Sequence, residues 1–240
     1  MHECKEEVDA SVSLNKKSSF CHQANVACRP LSNLDRLGLL DEQCVLAHMV
    51  HLTEEDIEMA ARRQVNVAHC PTSNMKLASG FCPVSNLINA GVNVCLGTDG
   101  AASNNSLDMI AEIKMAALLA KGLANDATTV PAAMALRMAT INGAKALGLV
   151  DKVGSIEVGK YADLMAVDLL NHTHCRPVYD PISAFVYAAT RECVSHVWVN
   201  GVLRVEKGKL LNAKNESAQR LLVETWRDKI YAVEEELNTV

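Results

Sequence analysis

Two histidines and an aspartate carry the chemistry most directly readable in this chain: His48, His69 and Asp99. Imidazole and carboxylate groups are the ligands of hydrolytic metal sites, which keep one position open for water. Metal binding lowers the pKa of that water toward neutrality, where it becomes a usable nucleophile. An aspartate at the metal can accept the water's proton, and a neighbouring histidine can polarise or protonate the developing intermediate. His48 and His69 fit ligand or proton-transfer roles, and Asp99 fits a ligand that also takes a proton.

Residues 21 and 30 positions apart share a site only if the elements before them bring their ends together. Cys44-Val45-Leu46-Ala47-His48 and Val65-Asn66-Val67-Ala68-His69 are short apolar runs that close on a histidine. Val92-Asn93-Val94-Cys95-Leu96 runs into Gly97-Thr98-Asp99-Gly100. Between them lie helical patterns. Thr53 can cap the acidic start Glu54-Glu55-Asp56, with Ile57, Ala60 and Ala61 on the inner face. Pro83 to Ala90 is helical and stops at Gly91. Further helices are expected over about 107–121, 130–139 and 142–148.

Strand and helix alternating with short connections mean parallel βα units. In a parallel barrel the C-terminal strand ends share one face, and active sites are built there. A lone histidine at a strand end is more often structural, and Asp-Gly is a common turn dipeptide. Three ligand types at three successive strand ends favour a site.

Other polar residues have weaker context. His51, three residues beyond His48, faces either the same pocket or solvent. Asn74, Ser103 and Asn104 either orient a substrate or loop, or serve simple turn chemistry. His22, His172, His174 and His196 read as surface or structural. Met109, Met115, Met134 and Met138 read as helix core.

The texture changes after Gly148. Residues 154–163 are turn-rich, Leu164-Met165-Ala166-Val167 is a buried-strand run, and Val197 to Val205 is a hairpin turning at Asn200-Gly201. Residues 215–236 form a last helix with an apolar stripe at Leu221, Leu222 and Trp226. The expected division is a barrel part over 1–150, a small β-module over 151–212 and a terminal helix over 213–240.

Hydrophobic residues make up 49% of the chain and charged residues 21%, enough for a sizeable core. The net charge of −5, without a basic run, argues against nucleic acid. Nine cysteines without a CxxC pair suggest reduced thiols and a cytoplasmic protein. No apolar run approaches the roughly 18 residues of a membrane span, and the charged start is no signal peptide.

Three segments resemble the amidohydrolase superfamily, in its triazine hydrolase and deaminase branch: Ala47-His48-Met49-Val50-His51-Leu52, Val67 through Leu77, and Leu96-Gly97-Thr98-Asp99-Gly100-Ala101-Ala102-Ser103-Asn104-Asn105. The closest likeness is to the 5-methylthioadenosine/S-adenosylhomocysteine deaminases. Gly159-Lys160-Tyr161-Ala162-Asp163-Leu164 is similar to a pattern in the family's closing β-module.

The resemblance implies an α/β protein: the C-terminal half of a TIM-like (β/α)8 barrel plus part of a small β-sandwich. It implies one divalent metal, zinc or alternatively iron, and hydrolytic loss of ammonia from an adenine nucleoside. His48 then matches a metal ligand on the fifth barrel strand. His69 matches the sixth-strand histidine that activates water and contacts substrate, and Asp99 matches the metal-bound proton acceptor. His51 stands where the family often has a proton-shuttling, ring-contacting glutamate. His2 resembles a substrate-contacting histidine at the end of the fourth strand.

The family's first-strand His-x-His pair has no counterpart ahead of His48. His172-Thr173-His174 has the spacing but lies in the β-module. The reading is therefore of a deaminase fragment, N-terminally truncated and inactive alone, with self-association left open. Two alternatives stand beside it. One is a non-catalytic truncated paralogue that pairs with a longer subunit. The other is the same metal chemistry on guanine, cytosine or triazine rings.

Overall fold

Thr53 caps its helix as its position implies: its side chain accepts from the Asp56 N–H while the Asp56 carboxylate accepts from the Thr53 N–H. This capping box fixes the chain's direction just after the first strand. The structure, a computed structural model, describes residues 29–211 and 216–238.

The first part runs α1 (Pro30–Arg36), β1 (Val45–Ala47), α2 (Glu54–Arg62), β2 (Asn66–His69), α3 (Pro71–Lys76), α4 (Val84–Asn89) and β3 (Asn93–Leu96). It continues through α5 (Ala101–Asn104), α6 (Met109–Ala124), α7 (Ala132–Met138) and α8 (Ile141–Ala146). Strands β1, β2 and β3 form a parallel sheet in that order, with Leu46 beside Val67 and Val67 beside Val94. The expected βα alternation is present. Among the described residues the sheet has three strands and does not close into a barrel.

Two short helices, α3 and α5, stand where the sequence suggested simple turns. Both immediately follow strand-end segments, and helices of 6 and 4 residues are too short to show a period.

The two ends of the parallel sheet serve different purposes. At the N-terminal ends, the Asn66 amide donates to the Glu42 and Cys44 carbonyls, and Asn93 donates to Asn66 Oδ1 and the Asn142 carbonyl. Asn142 in turn donates to the Val94 carbonyl. This buried amide ladder locks strand register and ties α8 to β3. The C-terminal ends carry His48, His69 and Asp99.

The second part contains β4 (Leu164–Val167), a 3-10 turn at Thr173–Cys175, α9 (Pro181–Tyr187), a 3-10 turn at Arg191–Cys193, β5 (Val194–Val199), β6 (Val202–Glu206) and β7 (Lys209–Leu210). These four strands form an antiparallel sheet in chain order. The hairpin turns at Asn200-Gly201, both at positive φ as a two-residue turn requires. Helix α9 packs against α6 and α7, and Phe185, Val186, Ala189 and Cys193 join the core that contains Val65, Val67, Leu87, Val94, Ala116, Ala117 and Met138.

Helix α10 (Glu216–Asn238) ends the described chain. Its apolar stripe is on the surface: Leu221, Leu222, Trp226, Ile230 and Tyr231 are all exposed. Among the described residues no helix is long and apolar enough to cross a membrane.

Candidate metal centre

His48 follows β1 directly, and its N–H still pairs with the Ala68 carbonyl. Its backbone then turns into the left-handed region, at φ 68°. Asp99, three residues beyond β3, does the same at φ 62°. Positive φ is unfavourable for residues with a Cβ and persists only where the surroundings impose it. The two turns bring His48 Nε2 within 3.8 Å of Asp99 Oδ2.

Each side chain is held from behind. His48 Nδ1 lies 2.9 Å from Asn74 Oδ1, so Nδ1 carries the proton and Nε2 presents its lone pair toward Asp99. Asp99 Oδ2 accepts from the Ser73 hydroxyl at 2.6 Å and the Ser103 hydroxyl at 2.8 Å, and Oδ1 accepts from the Gly100 N–H at 2.8 Å. Burial raises the carboxyl pKa, but these hydrogen bonds and His48 outweigh it and hold Asp99 below its ordinary value. Asp99 is therefore ionised at neutral pH.

His69 ends β2 and is almost wholly enclosed, at 1% exposure. Burial, then the neighbouring His48, push its pKa down to about 4, so the imidazole is neutral. Its Nδ1 and the Asn74 Nδ2 are buried polar atoms without a protein partner. Cys70, next in the chain, is buried. Burial, with the nearby Asp99 and Glu112 charges, pushes its thiol up to about 12.

A cleft of about 330 Å³ opens over this group, with Arg29, Leu46, His48, His51, Ser73 and Asp99 among its lining residues. His51 is at the rim, its ring beside Gly80 and its carbonyl accepting from Arg29 Nη2. Arg29 also pairs with the buried Asp56 at 2.7 Å, which ties the His51 loop to the start of α2. His69 is not among the lining residues, though it is near enough to His48 to feel its charge. His2 lies outside the described residues.

The sequence missed one part of the support. Glu112, buried on α6, accepts from the Thr72 N–H at 3.1 Å and from Asn104 Nδ2 at 2.8 Å. Asn104 also donates to the Thr98 carbonyl and accepts from Ser106 and the Leu107 N–H. Glu112 and Asn104 thus clamp the loop that carries Asp99. The available signal was a carboxylate on the same helical face as Ala116 and Ala120, both buried.

His172 and His174, read from sequence as surface or structural, meet Cys193 in the second part of the fold.

The amidohydrolase family model matches residues 7–204. The chain belongs to this family. As an amidohydrolase it is 50% identical over 199 residues to a 5-methylthioadenosine/S-adenosylhomocysteine deaminase of Moorella thermoacetica, covering 82% of this chain and 46% of that one. It is 44% identical over 232 residues to the enzyme of the same name from Teredinibacter turnerae, covering 97% and 50%. The chain thus spans about half the length of these curated relatives.

Among solved structures, a zinc-bound adenosine deaminase from Xanthomonas campestris superposes with a TM-score of 0.84 at 48% identity, over 87% of this chain and 47% of that one. A zinc-complexed atrazine chlorohydrolase from Arthrobacter aurescens superposes with a TM-score of 0.75 at 28% identity, over 83% and 43%.

The residues present supply two of the ligands that a zinc ion takes. His48 Nε2 and Asp99 Oδ2 are separated by a span that two bonds of roughly 2.0–2.2 Å can bridge. The protonated Nδ1 of His48 and the ionised Asp99 are the forms that ligation needs.

Proposed function

We propose that this amidohydrolase chain carries part of the active site of a hydrolytic deaminase acting on adenine nucleosides of the 5-methylthioadenosine and S-adenosylhomocysteine type. The observation that carries the reading is the 3.8 Å approach of His48 to Asp99 across two strand ends, each turned at positive φ. The deaminase names of the Moorella and Teredinibacter relatives support the substrate class.

In this proposal His48 and Asp99 hold a divalent ion, zinc in first place and iron as the other option. When bound, the ion acts as a Lewis acid and eases deprotonation of water. Asp99, kept ionised by three donors, accepts the proton of the water that attacks the ring carbon bearing the amino group. His69, neutral and with Nδ1 unpaired, would help activate the water and hold the intermediate if the cleft, which it does not line, opens as far as its ring. His51, at the rim of the cleft, contacts the ring and passes a proton to it, and His2 is a further substrate contact. The C–N bond breaks, ammonia leaves, and the ring keeps the oxygen.

Residues 1–150 then form the C-terminal part of the barrel, 151–212 belong to the β-sandwich, and 213–240 end the chain as a helix. Three protein ligands are customary for catalytic zinc. With His48 and Asp99 as the pair at this cleft, the 240 residues alone should hold zinc weakly and turn over slowly. The cytoplasm suits the six described cysteines, all free thiols.

The test measures zinc content and ammonia release from 5-methylthioadenosine and S-adenosylhomocysteine. Both are measured on this chain and on a chain extended to the length of its relatives, each beside its Asp99→Asn variant. Ammonia release by the extended chain and its loss in the variant are expected. Release that survives Asp99→Asn, or a preference for guanine, cytosine or triazine rings, overturns the proposal.

A non-catalytic partner role has one supporting observation: among the described residues β1 pairs on one side only, with Val45 exposed at its edge. Co-purification with a longer homologous chain, together with no turnover by the extended chain, would favour it.

A further inference from the structure

The second part of the fold brings together three soft or borderline ligands, with a fourth beside one of them. His172, His174 and Cys193 place a nitrogen, a nitrogen and a sulfur within 4.8 Å of one another. Cys193 Sγ lies 3.5 Å from His174 Nε2 and 3.9 Å from Cys175 Sγ. We propose that His172, His174 and Cys193 form the frame of a second, structural metal site suited to zinc, and that the ion draws in Cys175, which lies beside Cys193 but outside the group of three, as the fourth ligand.

The spacings support it. A tetrahedron with metal–sulfur bonds of about 2.3 Å has a sulfur–sulfur edge of roughly 3.8 Å. A mixed sulfur–nitrogen edge, with the second bond near 2.0–2.1 Å, is roughly 3.6 Å. The Cys175–Cys193 separation of 3.9 Å and the Cys193–His174 separation of 3.5 Å match these two edges, and His172 lies within 4.8 Å of His174 and Cys193. A disulfide requires sulfurs about 2.05 Å apart, so at 3.9 Å the two are free thiols in hydrogen-bond contact, at a spacing that a shared metal could keep. Two thiolates with two neutral imidazoles give the charge and softness that zinc prefers.

The local chain positions the four groups. His172, His174 and Cys175 come from the 3-10 turn just after β4, and Cys193 ends the 3-10 turn just before β5. Strands β4 and β5 pair at Val167 and Val194, and the Asp168 N–H donates to the Cys193 carbonyl at 2.8 Å. Both turns are therefore anchored on the same sheet end before any metal binds. Cys175 and Cys193 are buried, at 4% and 1%, whereas His174 is exposed and leaves an entry path.

The metal would close the segment between Cys175 and Cys193, 18 residues on, which contains α9. Since α9 packs on α6 and α7, the ion would pin the antiparallel sheet to the helices behind the parallel one. The site is independent of the His48–Asp99 pair and contributes stability rather than turnover.

Cobalt distinguishes the two sites. Co2+ is titrated into the metal-free, reduced full chain while the near-ultraviolet thiolate-to-cobalt charge-transfer band is followed. His48 and Asp99 offer no sulfur and give no such band. One equivalent should develop the band, Cys193→Ser should abolish it, and His174→Ala should weaken cobalt binding by at least about tenfold. His174 is exposed, so its variant should keep the native circular dichroism even if Cys193→Ser misfolds. Zinc should raise Tm by several degrees, and by less than half as much in His174→Ala. The proposal is overturned by absence of the band at saturating cobalt or by a band that both variants keep. Oxidation of Cys175 and Cys193 to a disulfide in the presence of zinc would overturn it too.

Discussion

His48 Nε2 and Asp99 Oδ2 face each other at 3.8 Å, and each belongs to a residue whose backbone has turned to positive φ within three residues of the end of a parallel strand. Neither side chain reaches the other by length alone. The turns aim them, Asn74 selects the His48 tautomer, and Ser73, Ser103 and the Gly100 N–H hold the carboxylate. Unfavourable conformations of roughly 1–3 kcal/mol each mark places where the surroundings over-determine the backbone.

Asp99→Asn tests what that arrangement is for. Asparagine tolerates positive φ as well as aspartate does and still accepts hydrogen bonds. Stability should change by about 1 kcal/mol or less, as read from the urea midpoint. Zinc retention should be lost. In a chain extended to the relatives' length, ammonia release should fall by roughly 10²–10⁴, the range ascribed to a positioned proton-transfer group.

His69 gives a stability prediction with a definite sign. Its folded pKa, about 4, lies below the ordinary 6.5 because burial and His48 disfavour the cation. Between those values the unfolded chain binds more protons than the folded one. The stability His69 contributes is thus fully present above pH 6.5 and is lost as pH falls toward 4. The loss approaches about 3 kcal/mol. Urea midpoints of the metal-free chain should drop across that window, and His69→Gln should flatten the drop. Equal slopes in both chains would refute the assignment.

The strand ends, the Thr53 cap and the Asn200-Gly201 turn were legible because each depends on residues within a few positions of one another. The placement of His48, His69 and Asp99 at or just beyond strand ends was legible for the same reason, since each closes its own local pattern. Glu112 was not, because its partners Thr72 and Asn104 are 40 and 8 residues away and α6 otherwise reads as apolar core. The grouping of His172 and His174 with Cys193 was hidden likewise, since it depends on the pairing of β4 with β5. Local patterns announce elements, whereas long-range contacts decide which polar residues meet.

Gly154 shows a steric requirement inside the turn-rich segment. Its φ is 91°, and a Cβ there would lie 2.7 Å from Ala144 Cβ and 3.0 Å from Ile141 Cα. Backbone strain and a clash with helix α8 would add. Gly154→Ala should therefore destabilise the chain by about 2–4 kcal/mol, while Gly159→Ala, equally strained but unobstructed, should cost only about 1–2 kcal/mol. Thermal unfolding of the two variants side by side measures the difference, and equal losses would show that packing against α8 is unimportant.

Glu112 supplies the sharpest test of positioning without contact. It does not line the cleft, yet it is the shared acceptor for the first turn of α3, which carries Ser73 and Asn74, and for Asn104, which holds the Asp99 loop. Glu112→Ala removes both acceptors and leaves the Thr72 N–H and an Asn104 amide proton buried and unpaired, at about 1–3 kcal/mol each. Glu112→Gln keeps the volume and one acceptor but turns a second donor toward one of the two partners, so it should cost less. Urea unfolding should rank wild type above Glu112→Gln above Glu112→Ala. If the residue acts by holding the Asp99 loop, Glu112→Gln should also lower zinc affinity while leaving the circular dichroism native. Zinc affinity unchanged in a folded Glu112→Gln chain would confine Glu112 to stability.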